Sequence, residues 1–254
     1  MLKILMSGCN GKMGQVITRL AAAESDLKII AGVSKQPDKI INPYPVYGSF
    51  AEVAEEANVV IDFSSPEVLP SLIKYCTLNK TALVLATTGL KDTDNEIVRQ
   101  ASEVIPIFRS ANMSLGVNVL LELTAKASAL LGESFDIEII EKHHNEKKDA
   151  PSGTALMIAK EINQSLDNTK RYVFDRTSSS AKRDRAEIGI SSVRGGTIPG
   201  EHTILFAGRD EILEIQHTAL SRDIFGAGAL KAARYISRKR NGVYDMKTML
   251  KEMI

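Results

Sequence analysis

Residues Gly8-Cys-Asn-Gly11-Lys-Met-Gly14 decide the fold of this chain. They have the spacing G-x-x-G-x-x-G, directly follow an apolar run at residues 2–6, and open a segment of helical periodicity at residues 13–23. Glycines at these positions permit a tight turn and let backbone N–H groups approach a pyrophosphate at a helix N-terminus. A strand, a glycine loop and a helix in this order predict a dinucleotide-binding unit of the Rossmann type.

Apolar runs of strand length alternate with helical segments through the first half of the chain. The predicted strands cover residues 2–6, 28–33, 59–63, 82–86 and 105–108, and the predicted helices cover residues 13–23, 66–78 and 92–104. This alternation is typical of βαβ units that share a parallel sheet. The glycine loop therefore follows the first strand of a larger α/β unit.

The second half of the chain has a different pattern. A long helix at 115–131, a strand at 135–141 and a helix at 152–166 precede three strand-like runs without intervening helices, at 187–193, 201–207 and 212–218. The tail at 224–238 is again helical. We expect an α/β fold with a Rossmann-type dinucleotide-binding domain (1–114 plus 222–254) and a second α+β domain for substrate binding and oligomerisation (115–221).

Composition excludes several classes of function. The 254 residues carry 32 basic and 31 acidic side chains, so no net field recruits nucleic acid or an acidic membrane. Cys9 and Cys76 are too few for a disulfide framework and indicate a reducing compartment. No stretch reaches the roughly 18 apolar residues of a membrane span. We expect a cytoplasmic protein with a small-molecule substrate and neither a nucleic-acid nor a membrane partner.

The end of the second predicted strand bears on the choice of cofactor. A Rossmann unit usually has Asp or Glu about 20 residues past the glycine loop, where it binds the adenosine ribose hydroxyls. This chain has Ser34-Lys35 instead. An acid would repel a 2′-phosphate, whereas a hydroxyl and an ammonium would accept one. We hypothesise that the chain tolerates or prefers NADPH over NADH; the alternative is a solvated lysine at a strand end.

A second group of functional candidates is concentrated just before a predicted helix. The segment reads Glu141-Lys-His143-His144-Asn-Glu-Lys147-Lys-Asp149-Ala-Pro151-Ser-Gly153-Thr154. Pro151 suits a first helical turn, and Ser152 and Thr154 are capping residues. N–H groups of Gly153 and Thr154 would then share a space with His143, His144 and Lys147. Helix-terminal donors, a lysine and imidazoles together predict a carboxylate site with proton-transfer groups.

This segment has two alternative interpretations, a metal site and a polar surface loop. Adjacent histidines suggest a metal, but neighbouring side chains on a strand point to opposite faces, and no Cys or third His lies at ligand spacing. We therefore expect no metal. The other alternative is a polar surface loop, which does not explain why so many donors gather at one helix N-terminus.

Together these residues resemble the dihydrodipicolinate reductase (4-hydroxy-tetrahydrodipicolinate reductase) family. The family signature E-x-H-H-x-x-K-x-D-A-P-S-G-T-A is present in full from Glu141 to Ala155. Other family segments recur in order along nearly the whole chain: Gly8 to Gly14, Phe63-Ser-Ser-Pro66, Thr87-Thr-Gly89, Ala111-Asn-Met-Ser-Leu-Gly-Val-Asn118, Ser192-Val-Arg-Gly-Gly196, Gly200-Glu-His-Thr203 and Ser221-Arg222. Such agreement rarely arises by chance.

The resemblance implies hydride transfer from NADPH or NADH to a cyclic imine-type dicarboxylate, with loss of water, in the diaminopimelate route to lysine. It implies that His143 is the proton donor and acceptor, that Lys147 is a second proton donor, and that His144, Gly153 and Thr154 bind carboxylate. It also implies the following cofactor-binding residues: Gly8, Cys9, Asn10, Gly11, Lys12, Met13, Ala86, Thr87, Thr88, Gly89, Ser110, Ala111, Asn112 and Met113. The cofactor hypothesis stated above adds Ser34 and Lys35 to this set. Family members are commonly homotetramers.

Two departures from the family pattern concern the cofactor. Ser34 replaces an acid found in many members, and Ala86 replaces a glycine that commonly precedes the two threonines.

Two other functions share the architecture. An aspartate-type amino-acid dehydrogenase would lack the full run from Asp149 to Thr154, and a nucleotide-sensing binding protein would not need the His-His and lysine set.

Overall fold

The computed structural model describes residues 1–177 and 181–253 and divides the chain into two compact units. Unit 1 comprises Met1–Leu115 and Arg222–Ile254, and unit 2 comprises Gly116–Ser221. Unit 1 is therefore built from both ends of the chain, whereas unit 2 is one continuous segment. Among the described residues, no helix has the length and apolar composition needed to cross a bilayer.

Unit 1 contains a seven-stranded parallel sheet with helices on both sides. Its strands are β1 (Leu2–Ser7), β2 (Leu27–Val33), β3 (Val46–Tyr47), β4 (Val59–Asp62), β5 (Ala82–Leu85), β6 (Pro106–Arg109) and β12 (Gly242–Tyr244). Its helices are α1 (Lys12–Ala22), α2 (Leu69–Asn79), α3 (Asp92–Ala101), α6 (Asp223–Ile236) and α7 (Met246–Lys251). Short 3₁₀ turns lie at Pro37–Lys39, Phe50–Glu52 and Pro66–Val68.

The strand order is β12-β6-β5-β4-β1-β2-β3. Strands β4 and β5 are buried at every position, as expected of parallel strands covered on both faces. Apolar residues of α1 and α6 pack on one face of the sheet, and those of α2 and α3 pack on the other. The chain turns outward in opposite directions from β1 and β4, so the dinucleotide crevice of this fold lies at their carboxyl ends.

Helix α6 packs closely on the rest of unit 1 through two glycines. A Cβ on Gly226 would lie 3.0 Å from side-chain atoms of Val16 and Leu20 in α1, and a Cβ on Gly228 would lie 1.7 Å from the carbonyl oxygen of Met113. Glycine is therefore required at 228 because any side chain would collide with backbone. The glycines that weaken helix propensity are the ones that permit its packing.

Unit 2 contains a mixed five-stranded sheet and two long helices. Its elements are α4 (Leu115–Leu131), β7 (Asp136–His143), α5 (Gly153–Ser165), β8 (Arg171–Val173), β9 (Glu187–Arg194), β10 (Gly200–Ala207) and β11 (Ile212–Ala219). The strand order is β11-β10-β7-β9-β8. Strands β7, β8 and β9 run parallel, and β10 is antiparallel to both β7 and β11.

The residues of β7 alternate between the two faces of this sheet. Ile137 and Ile139 pack against α4 and α5 in the core of unit 2, together with Ile204 and Phe206 of β10. The same face continues in β7 with Glu141 and His143, both buried. The apolar core thus gives way to polar side chains at the carboxyl end of β7.

The structure confirms the Rossmann-type parallel sheet and the second α+β unit, and it corrects several boundaries. Strand β7 extends to His143 instead of ending at Glu141, because its backbone continues to pair with β9 up to Arg194. Helix α5 begins at Gly153 with Ser152 as N-cap, so Pro151 precedes the helix and does not lie in its first turn. The short strands β3, β8 and β12 and helix α7 were not predicted, because segments of two to six residues carry little periodicity.

Candidate active site

The glycine loop of unit 1 has the geometry of a pyrophosphate site. Gly8 has φ +79°, and a Cβ there would lie 2.5 Å from the carbonyl oxygen of Phe63. The N-cap of α1 is Gly11, which provides no side-chain cap, and the first turn of the helix has no acidic residue. Backbone N–H groups at the positive end of α1 are therefore accessible to an anion. These features fit a dinucleotide.

Side chains within the loop face inward and hold it in place. The Cys9 thiol is fully buried. The Asn10 amide is nearly so and donates to the carbonyl oxygen of Gln36 at 2.7 Å. This bond fixes the glycine loop to the segment that follows β2. Of the predicted residues Lys12 and Met13, which open α1, Lys12 is exposed and Met13 half-buried.

A cleft of about 450 Å³ opens beside this loop. Its walls come from the ends of β1 and β2, the start of the second 3₁₀ turn and the segment after β4; the lining residues are Ser7, Gly8, Gly11, Val33, Ser34, Lys35, Gly48, Ser49, Phe50, Phe63, Ser64, Ser65, Glu67, Val68 and Ser71. Ser34 accepts a hydrogen bond from the backbone N–H of Gln36 at 3.2 Å. Lys35 is exposed at the edge. The cleft has the position expected for the adenosine half of a dinucleotide.

The two remaining predicted cofactor segments follow β5 and β6. Ala86 and Thr87 are half-buried, and Thr88 and Gly89 are exposed. After β6, Ser110 donates to the carbonyl oxygen of Asn112 at 2.9 Å, Ala111 is exposed, and the Met113 side chain is buried in the core. All the predicted cofactor residues therefore lie in loops or helix starts at the carboxyl ends of β1, β2, β5 and β6.

Unit 1 also has a larger cleft of about 940 Å³. Lys3, Glu55, Lys74 and Tyr75 contribute to its walls. Among its described lining residues, none is a predicted site residue, and its charges are mixed. Size alone does not indicate function here.

In unit 2, Glu141 and His143 form a buried hydrogen-bonded pair. The Nδ1 atom of His143 lies 2.5 Å from Oε2 of Glu141, which is fully buried. The two residues face the same side because they are two positions apart on β7. A carboxylate at Nδ1 fixes the imidazole ring and its tautomer, so Nε2 is the atom left for proton transfer. A Cβ on Gly200 would lie 3.1 Å from Nε2, so glycine there leaves room beside it.

Arg194 and Ser152 complete the surroundings of Glu141. The Arg194 guanidinium donates to both carboxylate oxygens, at 2.8 and 2.7 Å, and to the carbonyl oxygen of Asp149 at 2.7 Å. The backbone N–H of Ser152 donates to Oε1 at 3.1 Å. Glu141 therefore links His143 to the loop that leads into α5 and to the helix N-terminus itself.

These contacts determine the charge states in the pair. Burial raises the pKa of Glu141, but hydrogen bonds from Arg194, Ser192 and His143 outweigh burial and hold its pKa at about 2. Burial lowers the pKa of His143 below its ordinary value, although the Glu141 carboxylate opposes that shift. Glu141 is thus ionised at neutral pH, and His143 in the free protein is largely neutral.

Two further histidines continue this polar region. His202 of β10 pairs in register with Glu141 on one side and with His217 of β11 on the other. Its ring centroid lies 5.3 Å from that of His143, and its Nε2 lies 3.1 Å from the Ser152 hydroxyl. Burial and the neighbouring His143 lower the pKa of His202 to about 4. His202 is therefore neutral under ordinary conditions.

The remaining predicted residues of unit 2 surround the start of α5. Gly153 is exposed, and a Cβ there would meet nothing within 4 Å, so a ligand can approach its backbone closely. Thr154 is the next helical residue and is half-buried. Lys147 forms an ion pair with Asp149 at 2.8 Å. His144 follows the end of β7 and is half-buried. The structure therefore places all five predicted residues on β7, on the loop after it, or on the first turn of α5.

The sequence does not predict the contacts of Glu141, Arg194 and His202, or the position of His217 beside His202. The alternation His202, Ile204, Phe206 and the alternation Leu213, Ile215, His217 were visible signals that both histidines face the apolar side of the sheet. Arg194 could not be assigned, because its contact depends on the pairing of β9 with β7. Among the described residues, no cluster of three or more His, Cys, Asp or Glu side chains is arranged to hold a metal.

Two family models match this chain. The family model described as dihydrodipicolinate reductase, N-terminus, matches residues 2–113, and the model described as dihydrodipicolinate reductase, C-terminus, matches residues 116–250. This chain belongs to the dihydrodipicolinate reductase family. The two family models also divide the sequence close to the boundary between units 1 and 2.

Relatives named 4-hydroxy-tetrahydrodipicolinate reductase match over almost the full length. The protein from Caldanaerobacter subterraneus subsp. tengcongensis is 50% identical over 252 residues, covering 99% of each chain. The protein from Clostridium tetani is 46% identical over 250 residues, covering 98% of this chain and 97% of the relative. Members of the dihydrodipicolinate reductase family are NAD(P)H-dependent oxidoreductases.

A solved structure supports the fold. Dipicolinate-bound dihydrodipicolinate reductase from Paenisporosarcina sp. TG-14 superimposes with a TM-score of 0.82, at 22% identity, over 96% of this chain and 97% of that one. The predicted family, fold class and NAD(P)H-dependent oxidoreductase class of the chain are confirmed.

Proposed function

We propose that the chain reduces 4-hydroxy-tetrahydrodipicolinate to tetrahydrodipicolinate, with loss of water, in the diaminopimelate route of lysine biosynthesis. The observation that carries this proposal is the buried Glu141–His143 pair beside the N-terminus of α5, within the complete family signature. The names of the full-length relatives support the same activity. The proposed roles of individual residues are those that the family resemblance implies, and the contacts described above support them.

Unit 1 is the proposed dinucleotide-binding unit. Backbone groups at Gly8 to Met13 would hold the pyrophosphate, and Ser34 and Lys35 would contact the adenosine ribose. Loops 86–89 and 110–113 would line the nicotinamide half. When bound, NADPH or NADH supplies the hydride that reduces the substrate. Lys35 favours NADPH, because its ammonium can pair with a 2′-phosphate.

Unit 2 is the proposed substrate-binding unit. His144, Gly153 and Thr154 would hold a substrate carboxylate at the positive end of α5, where the first turn has no acidic residue. Lys147 would balance the remaining negative charge and serve as a second proton donor. Lys147 forms an ion pair with Asp149 in the free protein, and a substrate carboxylate would compete with Asp149 for the same ammonium.

His143 is the proposed proton donor to the substrate. The two carboxylates of the bound dicarboxylate would raise the pKa of this imidazole and favour its protonated form. Nδ1 would stay bonded to Glu141, and Nε2 would carry the proton that is delivered. General acid catalysis of this kind contributes about 10²–10⁴-fold to a rate. The 4-hydroxyl leaves as water together with a hydrogen from the neighbouring ring carbon, and the hydride and one proton then add to the conjugated imine that this elimination forms.

Two further properties belong to the proposal. We expect a homotetramer assembled through the sheet of unit 2, as is common in the family. We also expect a cytoplasmic location, which agrees with buried, unpaired Cys9 and Cys76. Gel filtration with light scattering tests the first expectation, since a monomeric wild-type protein at micromolar concentration would contradict it.

One assay tests the proposed activity. Oxidation of NADPH or NADH is followed at 340 nm after adding the freshly formed product of dihydrodipicolinate synthase, and in parallel after adding oxaloacetate with ammonia. We expect turnover with the first substrate alone. Turnover with oxaloacetate and ammonia would instead indicate an aspartate-type dehydrogenase. Dinucleotide binding without any turnover would indicate a nucleotide-sensing protein.

A further inference from the structure

Asp62 is a buried carboxylate that plays no part in the mechanism above. It is the last residue of β4 and is 1% exposed. Among the described residues, no Lys, Arg or His forms an ion pair with it. A buried carboxylate is unfavourable unless hydrogen bonds replace its lost hydration. The groups that provide those bonds therefore indicate what the residue does.

Three hydroxyl groups surround Asp62. The Ser7 and Ser64 hydroxyls donate to Oδ1 at 2.6 and 2.5 Å, and the Thr87 hydroxyl donates to Oδ2 at 2.5 Å. The Thr87 oxygen also accepts the backbone N–H of Ser64 at 3.1 Å, so its own proton is directed to Asp62. These distances are typical of hydrogen bonds to an ionised acceptor. Burial raises the pKa of Asp62 above its ordinary value, and the hydroxyl bonds reduce that shift without removing it.

Each of these hydroxyls comes from a different part of the crevice. Ser7 ends β1 and precedes the first glycine of the loop, and it is paired in register with Asp62. Ser64 belongs to the segment that lines the adenosine cleft. Thr87 lies in the loop after β5. Asp62 is thus located at the carboxyl end of the β1–β4 pair, where the chain leaves the two strands in opposite directions. A dinucleotide bound in the crevice of this fold would cross this point.

We propose that Asp62 is a positioning residue for the dinucleotide: it fixes the glycine loop, the segment after β4 and the loop after β5 in the one arrangement that binds the cofactor. The inference rests on the proposed function, because it assumes that these three segments hold NAD(P)H. Asp62 does not itself contact the reacting atoms. Its effect reaches the cofactor through Ser7, Ser64 and Thr87.

The first test is Asp62→Asn, which keeps the shape of the side chain. An amide group presents two hydrogens where the carboxylate accepts, so at least one of the three hydroxyls loses its acceptor. We expect Kd for NADPH, measured by fluorescence titration of the wild-type chain and the variant, to rise roughly tenfold or more. KM for the dinucleotide should rise in parallel, and KM for the dicarboxylate should stay unchanged.

Thr87 provides a milder matched pair of variants. Thr87→Val removes the hydroxyl and keeps the volume, whereas Thr87→Ser keeps the hydroxyl and removes a methyl group. We expect Thr87→Val to weaken NADPH binding by roughly tenfold, and Thr87→Ser, which keeps the hydroxyl that donates to Asp62, to weaken it clearly less. Ser102→Ala is the control for loss of a buried hydroxyl in the same unit, because that hydroxyl bonds only the carbonyl oxygen of Arg99 at the end of α3.

The outcomes separate this inference from the proposed function. Wild-type protein that fails to bind NADPH or NADH contradicts the proposed function. Wild-type protein that binds, with Asp62→Asn and Thr87→Val binding equally well, overturns the role of Asp62 alone. A lower unfolding temperature with an unchanged Kd would also overturn it, because that result assigns Asp62 to stability only. If Asp62→Asn does not fold, the comparison of Thr87→Val with Thr87→Ser decides.

Discussion

The Nζ atom of Lys35 lies 3.7 Å from Oε2 of Glu67 at the edge of the adenosine cleft, and both side chains are exposed. Lys35 follows β2, and Glu67 lies in the 3₁₀ turn after β4, so a cation and an anion face each other across the cleft. A 2′-phosphate would attract Lys35 and be repelled by Glu67. We therefore expect both residues to influence the preference of this chain for NADPH or NADH.

Variants at these two positions should shift the NADPH to NADH ratio of kcat/KM in opposite directions. We expect Lys35→Ala to lower the ratio and Glu67→Gln to raise it, each by about two- to fivefold, because exposed charge pairs contribute about 0.2–1 kcal/mol. Steady-state assays at low salt measure both. A wild-type ratio strongly in favour of NADH that does not change in Lys35→Ala would contradict the role of Lys35.

Removal of the His143 imidazole should affect the chemical step, whereas changes at Thr154 should affect binding. We expect His143→Ala to lower kcat by about 10²–10⁴-fold with a small change in KM. Thr154→Val should raise KM for the dicarboxylate more than it lowers kcat. The two variants serve as controls for each other in one steady-state series. Near wild-type kcat in His143→Ala would show that another group donates the proton.

Neutralising Glu141 should move the pH profile. The carboxylate favours protonated His143, so its loss in Glu141→Gln lowers the pKa of the imidazole further and leaves Arg194 as an uncompensated positive charge nearby. The protonated form then disappears at lower pH. We expect the alkaline limb of the kcat profile to shift to lower pH relative to wild type. The pH at which the alkaline limb of the profile lies does not depend on the amount of folded enzyme. An unshifted alkaline limb would argue against the hydrogen bond between Glu141 and His143.

Breaking the Arg194–Glu141 ion pair should destabilise the protein. Arg194→Ala leaves a fully buried carboxylate without its cation, and such a loss typically costs about 3–5 kcal/mol. Urea unfolding at pH 7 measures it. The double variant Glu141→Gln with Arg194→Met removes both charges, and we expect it to recover part of the lost stability. Equal destabilisation of the single and double variants would show that packing matters more than charge.

His202 should make stability fall in mildly acidic solution. Its pKa is about 4 in the folded chain and about 6.5 when unfolded, so the unfolded state binds a proton first as the pH falls. Its contribution is complete above pH 6.5 and is lost progressively between 6.5 and 4, at up to about 1.4 kcal/mol per pH unit. We expect His202→Gln to show a shallower decline in urea unfolding free energy over this range. An identical decline would assign the effect to other groups.

Periodicity predicted most of the fold because the long elements have strong patterns. Helix α4 has the predicted bounds, and the buried strands β4 and β5 were each predicted to within one residue. Edge strands such as β3 and β12 were missed, because two or three residues form a strand only by pairing with a neighbour. That information is tertiary and is not present in the local sequence.

The residues of the candidate site could be proposed from the sequence, but the contacts between them could not. The segment from Glu141 to Thr154 carried the relevant chemistry, and the strand alternation could have placed Glu141 beside His143. The contact of Arg194 with Glu141 spans 53 positions of sequence and depends on the register between β7 and β9. The convergence of Ser7, Ser64 and Thr87 on Asp62 likewise depends on the order of strands in the sheet.

Unit 1 is built from two separate segments of the chain, and this affects the order in which the protein folds during translation. Helix α6 supplies Ala229, Leu230, Ala232, Ala233 and Ile236 to the core that covers one face of the parallel sheet. A ribosome makes these residues after all of unit 2, so of α1 and α6 only α1 is available to cover that face of the first six strands while residues 116–221 are synthesised. Unit 2 is continuous and can fold as it emerges. We therefore expect the inserted unit to fold first during translation, and the nascent parallel sheet to be the part that depends on chaperones.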